Sequence, residues 1–180
     1  MRIVHVIGVT CSGKSTLMDV ARNRPLWGTV EVGKLMRAKY PPEYFAGQCN
    51  PTHTADEAWR MYLDGLEKNR KRGTVCCFVD GQPRDQSQFD EILQDKVDTH
   101  HFLHLWAPKG LLLLRSTERD GADEERLKLS SARIDNDVPA LYMLLSQVLA
   151  YRLPLRAYNT SDSEYDPMIA IKESLSLGTL

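Results

Sequence analysis

The sequence predicts an α/β fold, a parallel sheet with helices packed on both faces. Three observations predict it. Apolar runs at residues 3–7, 75–79 and 101–106 are each followed, after a short loop, by a segment of helical spacing. A glycine-bracketed loop, Gly8-Val9-Thr10-Cys11-Ser12-Gly13-Lys14-Ser15, separates the first run from the first helical segment. An acidic turn, Asp80-Gly81-Gln82-Pro83-Arg84, closes the second strong run. In such a sheet the loops leaving the C-terminal strand ends gather at one edge, where ligands bind.

The elements follow in order. A strand at 3–7 leads through the glycine loop to a helix at 16–22, and an extended piece at 29–32 leads to a helix from Gly33 to the Pro41-Pro42 break. Residues 40–54 are polar and carry three prolines. A helix follows at 55–72, with Thr54 as its cap and Glu57 three residues on, and Gly73 ends it. The strong strand 74–80 precedes a helix at 87–94; the strand 101–106 precedes a helix at 108–119 that opens on Pro108. Residues 120–131 are highly charged and poor in large apolar groups, which predicts a mobile excursion. A helix at 137–151, a short strand at 155–158 and a helix at 166–175 complete the chain, read as one domain over residues 1–180.

Composition limits the function classes. A formal net charge of -1 argues against a nucleic-acid surface, which needs a basic excess. The cluster Lys68, Arg70, Lys71, Arg72 reads as the last turn of a helix, where the dipole favours cations. Cysteines 11, 49, 76 and 77 show no metal-ligand spacing; Cys76 and Cys77 lie in an apolar run, as buried thiols of a reducing compartment would. His100, His101 and His104 read as strand residues rather than metal ligands, having no evident carboxylate or cysteine partner in the sequence. No leader peptide and no membrane-length apolar run is evident, so the expected setting is cytoplasmic, with no membrane partner.

Residues 8–15 form a complete Walker A loop in the strand–loop–helix context that motif requires. Gly8 and Gly13 let the backbone turn so that successive N–H groups, through Cys11 and Ser12 to Ser15 and Thr16, face a phosphate at a helix N-terminus. Lys14 reaches the outer phosphates, and the Ser15 hydroxyl is a candidate Mg²⁺ ligand. At the end of the second strong strand, Asp80 is placed to hold Mg²⁺ through water, Gly81 and Pro83 turn the chain across the site, and Arg84 carries a fixed charge toward the phosphates.

That combination resembles the adenylate kinases, whose corresponding turn reads D-G-F-P-R, and the resemblance extends from Met1 to about Tyr158. It implies a P-loop kinase fold with an acceptor-binding insertion at 33–73 and a short lid at 120–132. Gly33-Lys34-Leu35-Met36-Arg37 looks like the family's G-D-L-L-R element, making Arg37 a clamp on the acceptor phosphate. Gln88 stands where the family places the glutamine that reads adenine. Arg115 and Arg119 end the helix entering the lid, where an ATP-contacting arginine is usual. Arg133-Ile134-Asp135-Asn136 resembles the lid's R-x-D-D, and Pro154-Leu155 and Tyr158 recur at the family's spacing from it. The resemblance makes Lys14, Arg84, Arg119 and Arg133 the catalytic charges, with Gly33, Arg37, Gly81, Arg84, Gln88 and Arg133 toward the acceptor. Lys34, Gln82, Asn136 and Leu144 depart from the family pattern, and Val32 stands in place of a base-contacting hydroxyl residue. The lid lacks the cysteines of its zinc-bearing form.

Phosphoryl transfer needs positioning and positive charge more than covalent help, and a phosphate acceptor needs no general base. The expected activity is therefore transfer of the γ-phosphoryl of ATP, with Mg²⁺, to a nucleoside monophosphate, foremost AMP or dAMP. Its partners would be small-molecule nucleotides. Two alternatives stay open: a P-loop kinase of another small acceptor, such as a pyrimidine monophosphate or an alcohol for which Asp80 would serve as base, and a nucleotide-binding regulatory module.

Overall fold

A computed structural model describes residues 1–40, 52–121 and 124–176. The Pro41-Pro42 break, Cys49 and residues 122–123 lie outside them. The elements are β1 (Arg2–Ile7), α1 (Lys14–Arg22), β2 (Trp27–Glu31), α2 (Val32–Lys39), α3 (Thr52–Lys71), β3 (Cys76–Asp80), α4 (Gln86–Gln94), β4 (Thr99–Trp106), α5 (Lys109–Asp120), α6 (Glu124–Ala150), β5 (Leu155–Asn159) and α7 (Pro167–Ser176). The five strands form one sheet in the order β2-β3-β1-β4-β5. Every pairing is parallel, with Val6 level with Asp80 and Glu31 level with Asp80.

Because both faces are covered, the central strands are apolar on both sides. Val4, Val6, Cys76 and Phe78 pack with Leu17, Met18 and Ala21 of α1 and with Ala170 and Ile171 of α7. On the opposite face Ile3, Cys77 and Val79 meet Trp59, Tyr62 and Leu66 of α3, whose spacing puts one stripe on the sheet. The vicinal cysteines thus point to opposite cores, and burial pushes both thiols up to about 12. The basic cluster does end a helix, and Arg70 is drawn into an ion pair with Asp98, which also accepts from the N-terminal amine at 2.9 Å.

Connections from β1 and β3 run to opposite sides of the sheet, β1 crossing to β2 and β3 crossing to β4. Their C-terminal ends therefore open a crevice at the switch point, and the two sequence motifs leave the sheet there.

Two expectations about the elements need correction. Thr54 lies inside α3, which spans Thr52–Lys71, and so is not its cap. The expected excursion is largely helix: residues 124–131 are the first turns of the 27-residue α6, which runs on through Pro139. Few apolar groups suffice because they fall on one stripe. Ile134 is buried with Val9 and Leu112, Val138 and Leu141 pack beside them, and the buried Ser130 hydroxyl accepts a hydrogen bond from Ser116 of α5 at 2.7 Å.

Candidate active site at the strand C-termini

The phosphate loop is shaped by backbone that side chains would not allow. Gly8 has φ 152°, and a Cβ there would lie 2.3 Å from the Leu105 carbonyl oxygen of β4 and 2.5 Å from Ser12 Oγ. Gly13, at φ 96°, starts α1 from the left-handed region, and Cys11 has φ 64°. Ser12 is fully buried beneath the loop, with no partner for its hydroxyl among the described residues. Lys14 folds back, its Nζ donating to the carbonyls of Gly8 at 2.7 Å and Val9 at 3.0 Å.

Beside this loop is a cleft of about 500 Å³. Its walls bring together Gly8, Thr10, Lys14 and Ser15 of the loop, Glu31, Gly33 and Arg37 around α2, and Asp80 to Arg84 of the acidic turn. A larger groove of about 930 Å³ runs outside β2 between α1, α2 and α3, but none of the phosphate-loop residues line it, so the smaller cleft is the site.

Asp80 and Glu31 stand side by side at their strand ends. Glu31 is neutralised by Arg22 and by Lys34, whose Nζ is 2.6 Å away, so the lysine that departs from the family pattern compensates a neighbouring carboxylate. Burial pushes the Asp80 carboxyl above its ordinary range; Lys14 pulls it down, Glu31 pushes it up, and Arg84 and Arg37 pull it down. Arg37 reaches back over Gly33, where a Cβ would lie 3.4 Å from its Nη1. Arg84 Nε donates to the Gly81 carbonyl at 3.0 Å. Neither guanidinium is in an ion pair among the described residues.

The acidic turn is tied down from three sides. The Gln82–Pro83 peptide is cis. The Arg84 N–H donates to Gln88 Oε1 at 2.8 Å, and Asp85 caps α4 by accepting from the Gln88 N–H at 3.0 Å. Beneath it, His5 Nδ1 lies 3.1 Å from the Gln82 carbonyl, which can only accept, so that nitrogen carries the proton. His5 Nε2 lies 2.9 Å from His100 Nδ1, and His100 Nε2 lies 3.2 Å from an Asp95 carboxylate oxygen. His100 thus has the carboxylate neighbour that the sequence alone did not reveal. No group of three or more potential ligands forms a metal centre among the described residues.

Gln88 is buried, is not among the residues lining the cleft, and spends its amide oxygen on the Arg84 N–H. Arg115 also stands apart from the cleft. Its guanidinium donates to the Cys11 carbonyl at 3.3 Å and to Thr160 Oγ1 and carbonyl at 2.9 and 2.7 Å, bracing the phosphate loop against the end of β5. Arg119 lies exposed near the end of α5, and Arg133 lies exposed on α6, outside the cleft wall. Asn136, Asp137, Ala140, Leu141 and Leu144 of α6 do line it, and Arg133 is one turn from Asn136 and Asp137 on the same helical face. Asp137 was not singled out by sequence. Its Oδ2 accepts from the Thr10 N–H at 3.1 Å and from Thr10 Oγ1 at 3.0 Å, linking α6 to the phosphate loop. The available signal was its spacing of four from Arg133, which puts both on one face once the helix is begun before 137.

The residues present suit Mg²⁺ bound with a nucleotide. Such an ion takes one or two protein oxygens, completing its shell with phosphate and water, and Ser15 and Asp80 line the same cleft.

No protein-family model matches the sequence, and no curated protein matches it at a significant level. Among solved structures, the chain is similar to a sugar kinase from Janibacter sp. HTCC2649, with TM-score 0.62 and 18% identity over 97% of this chain and 92% of that one. It is also similar to the shikimate kinase of Bacteroides thetaiotaomicron, with TM-score 0.58 and 13% identity over 96% and 95% of the two chains. The fold is thus that of the P-loop kinases.

Proposed function

We propose that this protein is a P-loop kinase transferring the γ-phosphoryl group of ATP to a nucleoside monophosphate, with AMP or dAMP the leading acceptor. One observation carries the reading: Arg37 and Arg84, neither in an ion pair among the described residues, converge with Lys14 on one cleft. Two guanidinium groups outside any ion pair among the described residues suit a dianion on the acceptor side, and phosphate is the dianion such forks fit. The kinase neighbours agree with phosphoryl transfer to a small molecule.

In this mechanism the Walker loop N–H groups and Lys14 hold the β- and γ-phosphates, and Lys14 exchanges its contacts to Gly8 and Val9 for them. Ser15, and Asp80 through water, would hold Mg²⁺, which would supply positive charge against the phosphates. Arg37 grips the acceptor phosphate and Arg84 follows the moving phosphoryl group. Residues 33–73 serve as the acceptor-binding insertion and 120–132, helical from Glu124 onward, as the short lid beside which Arg119 and Arg133 stand. The partners are small nucleotides, with neither nucleic acid nor membrane. No helix among the described residues is long and apolar enough to cross a membrane, and free thiols at Cys11, Cys76 and Cys77 support a reducing cytoplasmic setting.

A coupled ADP-release assay over the common monophosphates tests this. Arg37→Ala is expected chiefly to raise the acceptor KM, and Arg84→Ala also to depress kcat. Unchanged acceptor kinetics in both variants refutes the assignment. A second reading, an alcohol acceptor with Asp80 as base, is favoured by the raised pKa of Asp80 and by the sugar and shikimate kinase neighbours. Sugars and hydroxy acids therefore belong in the same panel, and absence of turnover on every acceptor would leave the non-catalytic module.

A further inference from the structure

Gln82 departs from the aromatic residue of the D-G-F-P-R pattern and is only 2% exposed. Both of its amide atoms, Oε1 and Nε2, are buried without a hydrogen-bond partner among the described residues. The residue nevertheless lines the acceptor side of the cleft, between Gly81 and Arg84. Its backbone carbonyl is held from below by His5 Nδ1 at 3.1 Å. A sealed, unpaired amide is destabilising in the free protein, and binding a partner with one donor and one acceptor removes that penalty. An apolar residue would fill the position without it.

We propose that the Gln82 amide is the base-reading element of the acceptor site, turning by rotation of its own side chain into the cleft to pair with a donor and an acceptor on one edge of the base. The adenine edge formed by N6–H and N7 matches a glutamine amide in this way. The inference rests on the nucleoside monophosphate reading and adds a second amide to that of Gln88, whose oxygen accepts from the Arg84 N–H. A site built around such a pair rejects a base that leaves the amide unpaired.

The test compares AMP, 7-deaza-AMP and the purine monophosphate lacking the 6-amino group, in the wild type and in Gln82→Met, by kcat/KM with saturating ATP and by thermal unfolding without ligand. In the wild type each analogue is expected to lose about tenfold or more relative to AMP. In Gln82→Met the penalties collapse to near unity while Tm rises by about 2 °C or more, because a buried unpaired amide has been removed. A structural role would do the opposite, lowering Tm and leaving the analogue ratios intact. Full analogue activity in the wild type overturns the proposal without needing the variant, as do ratios that survive Gln82→Met. A wild type that phosphorylates no monophosphate refutes instead the functional reading beneath it, and this inference falls with it.

Discussion

Acidification should destabilise this protein through His5, and the size of the effect follows from where that residue sits. His5 lies in the middle of β1, fully buried, stacked on Phe102 with ring centroids 4.7 Å apart and hydrogen-bonded to the Gln82 carbonyl and to His100. Burial first, then the neighbouring His100, lowers its pKa from 6.5 to about 3, against the raising effect of the Gln82 carbonyl. Between these values the unfolded chain binds a proton that the folded chain refuses. The stability is therefore fully present above pH 6.5 and is lost as pH falls toward 3, at about 1.4 kcal/mol per pH unit. From pH 6.5 to pH 4 this amounts to roughly 3 kcal/mol, a large share of the about 5–15 kcal/mol typical of a domain. His100, held down by burial against the pull of Asp95, and the similarly lowered His101 and His104 act in the same direction. Comparison of the wild type with His5→Asn, by urea unfolding at a series of pH values from 4 to 8, isolates the His5 share. The variant can keep a donor for Gln82, loses ring packing and is less stable at pH 8. Its stability should nevertheless fall less steeply below pH 6.5, the difference in slope approaching about 1.4 kcal/mol per unit. Parallel curves would refute the argument.

Two further outcomes bear on the phosphate loop. Lys14→Ala should lower kcat/KM by about a hundredfold or more, since no backbone amide replaces its charge, with Tm little changed; near-normal turnover would contradict the loop's role. Gly8→Ala places a Cβ 2.3 Å from the Leu105 carbonyl oxygen at a positive φ of 152°. Because backbone must shift, it should cost about 3 kcal/mol, read as a Tm lower by roughly 6–12 °C, and a Tm within 2 °C of wild type would show that β4 gives way freely.

What the sequence determined by itself is what local chemistry encodes. Strand and helix order follow from apolar spacing, and the phosphate loop follows from two glycines, a lysine and a serine set between a strand and a helix. The vicinal cysteines could be read as buried because a run of five residues can present both faces to a core. What only the tertiary structure decided depends on partners distant in the chain. Nothing near residues 120–131 shows that one stripe through Ser130 and Ile134 has α5 to pack against, so the segment read as mobile although it is mostly helix. Gln88 and Arg115 each carry groups able to meet a nucleotide, and their spacing gave no sign that an N–H at Arg84 and a carbonyl at Cys11 would engage them. The same holds for Asp137 on Thr10, and for His5, which reaches Gln82 and His100 only because parallel pairing brings β1 between β3 and β4. A hydrogen bond is specified by two residues at once, and a linear sequence presents them one at a time.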